Sequence, residues 1–237
     1  MILSFLLVGV VLAADPAPPI QEIECVRATS PIVVDGKLDE AAWTDIPAIK
    51  DFWLWFSLSA PTTHTTARLC YDDAFLYAAL DCEDDDVFAL YDQRDQNLWE
   101  SDVVELFFQP DPENPMYYEF EIAPNNTVFD ARMVNSGSGG FQRWASWNGD
   151  IQTAVVVRGT LNEWKDRDKG YTVEIAIPWR AFDEVLHGKT PTGQTWKFSA
   201  VRVDFSVTLE KEERSSTANV PDGDIHHKDG YSQLTFK

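Results

Sequence analysis

Basic residues are scarce in this chain. Lys and Arg number 19 against 39 Asp and Glu, giving a formal net charge of −20 and an isoelectric point near 4.4. Nucleic acid and anionic membrane both require a basic face, so both are excluded as partners. Cysteine occurs only at Cys25, Cys70 and Cys82, with no CxxC spacing, which leaves zinc and thioredoxin-type readings without support. Two readings of these thiols stay open: one disulfide with Cys25 as a partner, or three buried small hydrophobes. Serine and cysteine nucleophile motifs, Walker-type glycine loops and HExxH are absent. Beyond the first 14 residues no apolar run is long enough to cross a bilayer, so membrane insertion is not expected. There is no internal repeat and no βαβ alternation.

What is present is a core-forming composition, 44% hydrophobic and 13% aromatic over 237 residues. Met1–Ala14, MILSFLLVGVVLAA, reads as a signal peptide cut after Ala13 or Ala14, although its start carries no basic residue. It predicts a secreted or periplasmic protein. Residues 15–26 read as a Pro-rich N-terminal spacer, and 27–237 as a single domain. Short strand-type runs dominate: Ile32–Val34, Thr66–Cys70, Phe75–Asp81, Val103–Gln109, Tyr117–Ala123, Thr127–Met133, Ile151–Val157, Thr172–Pro178, Lys197–Phe205 and Ser232–Phe236. Leu38–Ile46 has helical spacing with Ala42 and Trp43 inward, Ala181–Leu186 is a brief helix, and 87–98 is a polar connection. The expected fold is all-β: an antiparallel two-sheet β-sandwich, jelly-roll-like, with one or two short helices.

The densest chemistry lies between Trp99 and Arg132. Side chains alternate across a strand. Val104, Leu106 and Phe108 therefore share one face, as do Tyr118, Phe120 and Ile122. The opposite faces carry Glu105, Glu119 and Glu121, with Asp130 and Arg132 assigned to the same patch on the third strand. Val103 and Phe107 flank Glu105 and predict its partial burial, with Arg132 as the nearest partner. Trp99 stands at the entrance. An exposed ring beside hydrogen-bonding groups suits a sugar, whose C–H face packs on the indole while its hydroxyls meet the polar groups. The plainer alternative is a solvated sheet face. Arg202, and Trp144 and Trp147 in the Gly/Ser-rich stretch 135–149, complete the candidate carbohydrate-binding set. Asp81, Glu83 and Asp84, in an acidic run, are candidate oxygen ligands for a structural calcium. No cofactor is required by this reading.

Six segments in order resemble the family 9 carbohydrate-binding modules and related family-9-like sandwich domains. They are Pro31–Trp43 (PIVVDGKLDEAAW), Tyr71–Tyr77, Trp99–Phe107 (WESDVVELF), Tyr117–Glu119, Gly170–Trp179 (GYTVEIAIPW) and His226–Phe236. The resemblance covers roughly 27–237. It implies non-catalytic binding of a polysaccharide or oligosaccharide, in partnership with co-secreted glycoside hydrolases such as xylanases. It also implies that two tryptophans sandwich a terminal sugar, with Trp99 as the first and Glu105 as the polar residue beside it. The chain departs from that pattern twice. Asp224–Lys228 reads DIHHK where the second tryptophan belongs, and the acid Glu121 takes the place of a basic residue. Either Trp144 or Trp147 supplies the second face, or the clamp is absent. Two other functions fit some of the residues. A glycoside hydrolase would use paired acids among Glu105, Glu119 and Glu121, which sheet neighbours can space correctly. A haem-binding sandwich would draw on His226, His227, Met116 and Met133.

Overall fold

A computed structural model describes residues 17–134, 144 and 146–237. The leader assigned to 1–14 lies outside these residues, as does most of the Gly/Ser-rich loop. The described chain is mostly β with two short helices. Its strands are β1 (Glu22–Arg27), β2 (Trp53–Leu54), β3 (Thr65–Tyr71), β4 (Phe75–Cys82), β5 (Val103–Gln109), β6 (Tyr117–Ile122), β7 (Val128–Met133), β8 (Gln152–Val157), β9 (Tyr171–Pro178), β10 (Thr195–Asp204), β11 (Glu213–Ser216) and β12 (Ser232–Phe236). Helices α1 (Ala41–Asp45) and α2 (Asp183–Leu186) fall where helical spacing predicted them, and Ala42 and Trp43 are buried as expected.

The strands form a single mixed sheet ordered β7-β6-β5-β10-β12-β1-β3-β4-β9-β8, with β11 and β2 continuing beside β10. This differs from the antiparallel two-sheet sandwich read from the sequence. The reason is β1, all but the last residue of which lies in the segment read as spacer. Glu22–Cys25 run parallel to β12, while Val26 and Arg27 run parallel to β3. One strand thus belongs to both halves, and the sheet curls instead of splitting. Ile32–Val34 is not a strand; Ile32 and Val34 pack instead on the outer cluster around Trp43.

The inner faces of both halves share one core, which includes Leu69, Leu76 and Ile175 from one side and Leu106, Phe108, Phe120 and Phe198 from the other. A second layer covers β3, β4 and β9 from outside. There the buried carboxylate of Glu174 accepts from the Trp43 indole (2.8 Å) and from the backbone N–H groups of Asp35 (2.9 Å) and Gly36 (2.7 Å). Cys25, Cys70 and Cys82 are free, buried thiols, and burial pushes Cys70 and Cys82 up to about 12.

At one end of the core lies a buried charge cluster. Arg202 reaches inward from β10, bonds Asp84, and approaches Asp204 (3.6 Å) and Asp102 (3.9 Å). Its guanidinium also faces the Tyr171 ring at 5.1 Å. The carboxylates are further satisfied by local donors. Asp102 accepts from the N–H of Phe88 (2.6 Å) and Phe205 (2.7 Å), and Asp204 from Thr63 Oγ1 (2.7 Å) and the Ser206 N–H (2.9 Å). Removing one partner of a buried ion pair leaves an uncompensated charge in the interior. We therefore expect Arg202→Leu to lower stability by about 3–5 kcal/mol in urea unfolding. Arg132→Leu, which releases only an ion pair with the exposed Glu184, should stay within about 1 kcal/mol.

Candidate functional site

The site is built on the outer face of the other half of the sheet. The turn closed by Asn125 sets the β6–β7 register; its Oδ1 accepts from the Thr127 N–H (3.1 Å), and Asn126 takes a φ of +64°. That register pairs Glu121 with Phe129 and Glu119 with Ala131. Across β5 it pairs Glu105 directly with Glu121. A row therefore crosses the sheet from Phe129 through Glu121, Glu105, Val201 and Ser216 to Trp53.

Both ends of that row hold an indole. The Trp99 ring meets Phe129 edge-on at 5.8 Å, and is carried by a 3₁₀ turn over Leu98–Glu100. The Trp55 indole N–H donates to Ser216 Oγ (3.2 Å), and its backbone N–H donates to the carbonyl of Arg214 (2.9 Å). The two rings thus reach the centre from opposite flanks of the acidic floor. Together with Glu105, Glu119, Glu121, Arg214 and the loop Gly223–His226 they line a cleft of about 170 Å³. Gly223 has a φ of +74°, and a Cβ there would meet the Phe56 ring at 2.0 Å, so only glycine fits this corner. His226 is fixed by Tyr117, whose hydroxyl lies 2.8 Å from Nδ1.

The three glutamates are nearly sealed, at 4%, 2% and 1% exposure for Glu105, Glu119 and Glu121. Burial disfavours the charged form of each. Glu105 is pushed up to about 7, with Arg214 opposing the rise. Glu119 is pushed up to about 8 by burial and then by Glu105. Glu121 is raised well above the carboxylate range by burial and by both other acids. Oε2 of Glu119 and of Glu121 is buried and finds no hydrogen-bond partner among the described residues. Like charges facing each other across strands are unfavourable, so the floor costs stability in the empty protein.

Of the sequence-predicted residues, Trp99, Glu105, Glu119 and Glu121 converge here. Arg132 and Asp130 do not: they pair with Tyr118 and Phe120 on the other face, where Arg132 binds Glu184 and Asp130 binds Arg94 at 2.5 Å. Arg202 is in the buried cluster described above. Trp147 packs on Tyr118 (5.5 Å) and Phe120 (5.9 Å), while Trp144 lies against the apolar layer under the cleft face. The acids assigned to calcium diverge. Asp81 pairs with Arg158 (2.8 Å), Glu83 is exposed, and Asp84 is bound to Arg202. Reading the sequence missed Trp55, Arg214 and His226 as lining residues. The aromatic run Phe52–Phe56 was the available sign for Trp55.

Comparison with known proteins identifies the family and the fold. The family model described as carbohydrate family 9 binding domain-like matches residues 34–222. A protein of Arthroderma benhamiae named "Extracellular protein" is 25% identical over 174 residues, which is 70% of this chain and 75% of that one. The exoglucanase XynX of Acetivibrio thermocellus is 27% identical over 148 residues; the match takes in 62% of this chain but only 11% of the enzyme. Among solved structures, a carbohydrate-binding module family 9 domain from Caldicellulosiruptor kristjanssonii shares the fold. In complex with glucose it gives a TM-score of 0.61 at 14% identity, covering 90% of this chain and 95% of that one. In complex with cellotriose it gives 0.63 at 15% identity, covering 92% and 94%. The chain belongs to the carbohydrate family 9 binding domain-like family, a family of non-catalytic carbohydrate-binding modules.

Proposed function

We propose that the cleft between Trp55 and Trp99 binds one sugar ring, stacked on indole and held through its hydroxyls by Glu105, Glu119 and Glu121. The observation that carries this reading is the row across β7, β6, β5, β10 and β11, with an indole anchored at each end and paired acids in the middle. Trp55 takes the part of the second clamp aromatic for which Trp144 and Trp147 were candidates. At about 170 Å³ the cleft is smaller than the roughly 300–1,000 Å³ typical of drug-sized ligands, which suits a single ring at a chain end. The acids are read as hydrogen-bonding groups for the ring's hydroxyls, in keeping with a non-catalytic family. We place the domain outside the cytoplasm, assisting glycoside hydrolases on polysaccharide. Supporting this are the extracellular relative and the similar segment inside an exoglucanase.

Stacking on one aromatic ring contributes on the order of 1 kcal/mol beyond area burial, so a clamp of two matters for retention. In affinity electrophoresis against a glycan panel, Trp99→Ala should lose retention on any glycan that retards the intact protein. Trp164→Ala is the control, since Trp164 is exposed on a separate surface and its loss should leave mobility in the gel unaltered. Unchanged retention of Trp99→Ala would remove this site assignment.

The acids make a second expectation. A carboxylate whose folded pKa lies above its unfolded value binds more protons folded than unfolded. The penalty is therefore absent below about 4.5, the ordinary value, and grows as pH rises toward about 8. Glu119→Gln should raise the melting temperature at pH 8 and leave it unchanged at pH 4.5, read by calorimetry of the ligand-free protein. Equal effects at both pH values would show that Glu119 ionises without cost.

A further inference from the structure

We propose that the ring accepted by this cleft carries a protonated amine, so that its ligand class is a glucosamine-type pyranose and not a neutral or acidic sugar. This rests on the carbohydrate reading above and adds the charge of the ligand. The polar lining is dominated by carboxyl groups: Glu105, Glu119, Glu121 and Asp224. Against them stand one guanidinium, Arg214, held 5.8 Å from the Trp55 ring, and His226, which burial shifts toward its neutral form. In the empty cleft burial favours the protonated acids, which donate as well as accept; a cation seated among them favours the ionised form, which only accepts. A neutral ring gives these carboxyls no reason to ionise. An ammonium does.

Oε2 of Glu119 and Oε2 of Glu121 are buried with no donor from another residue, and the two carboxyls meet only each other, which favours a proton held between them. Buried polar atoms left unpaired are rare and call for an explanation. An ammonium supplies three donors, no acceptor and a positive charge. Seated over the Glu105–Glu121 pair it would satisfy the orphan oxygens and offset the repulsion between facing acids. A uronic acid or sulfated sugar would instead add negative charge to an already acidic floor. A bare metal ion is a poorer match. The two carboxylate groups compact enough to hold one, Asp84/Asp102/Asp204 and Asp35/Glu40/Glu174, lie elsewhere among the described residues.

The test compares ligands that share a β-1,4-linked backbone and differ at one substituent. The intact protein is titrated calorimetrically with a glucosamine tetramer, its N-acetylated counterpart and cellotetraose. Conditions are about pH 5.5, about two units below an α-amino group so that a ring amine is largely protonated, and about 0.15 M salt. The glucosamine tetramer should bind about ten-fold more tightly than cellotetraose, the size of one partly desolvated ion pair. Its binding heat should vary with the buffer's ionisation enthalpy, because the acids release protons as the ammonium enters. The preference should shrink to about two-fold or less in the double variant Glu119→Gln/Glu121→Gln, a change expected to stabilise the fold.

Cellotetraose binding as tightly as the glucosamine tetramer would overturn the amine assignment and leave carbohydrate binding intact. Glucosamine binding that survives Trp99→Ala would assign it to the acidic surface at large and overturn the proposal. No binding by any tetramer would overturn the carbohydrate reading, and the amine assignment with it.

Discussion

The site on the outer face depends on a guanidinium buried on the inner one. Arg202 is the only cation close to Asp84, Asp102 and Asp204 among the described ion pairs, and those acids lie after β4, just before β5 and at the end of β10. Asp102 in turn captures the backbone of Phe88 and Phe205. It stands three positions after Trp99 and one before β5 begins. Fixing Asp102 therefore fixes both where the strand of Glu105 starts and where the turn carrying the indole ends. The carboxylates keep a compact arrangement that repulsion alone would scatter, because one delocalised cation and several backbone donors answer them together.

The two acidic clusters of this protein both suffer burial but differ in their donors. Around Arg202 the carboxylate oxygens have donors, so the loops are held even though burial raises Asp84 and Asp102. Beneath the cleft the acids face one another, and one oxygen each on Glu119 and Glu121 is unanswered. Packing of Val103, Phe107 and the indoles seals that floor from water, which raises the cost of ionisation. Structures retain such local violations of good packing at functional sites, and the rest of the fold offsets them.

Much of this was legible in the sequence, and the parts that were not have a common cause. Alternation within β5 and β6 sorted Glu105, Glu119 and Glu121 correctly, because period 2 is a local property of each strand. Placing Arg132 and Asp130 beside them required the register between β6 and β7, which the length of the Asn125–Asn126 turn decides. With Ile122 opposite Val128, odd-numbered positions meet odd ones, and the even-numbered Asp130 and Arg132 turn to the core side. Arg202 went astray for the same reason: its partner on β5 is Val104, an inward residue. β1 escaped because its neighbours are parallel strands from opposite ends of the chain, and no hairpin signal announces such a pairing. Trp55 escaped because it follows β2, a strand of only two residues, too few for a period to show.

Fold and ligand part company at the same place. Likeness to solved modules at 14–15% identity reflects the curled sheet and its core, which hydrophobic patterning alone is enough to maintain. On the reading proposed above, ligand choice rests with the few side chains on the outer face of β5 and β6, and those can change without disturbing a single inward residue. Glu121, where the resemblance implies a basic residue, would change what is offered to a ring while leaving Ile122 and Phe120 in the core. In the proposed site a second ring, Trp55, stands just after β2 in place of the C-terminal loop, which would keep the stacking platform but move its origin in the chain. The separation of an inward scaffold from an outward lining is built into the alternation of a β-strand. For that reason the cleft has to be read from its own residues before any relative's sugar is carried over to it.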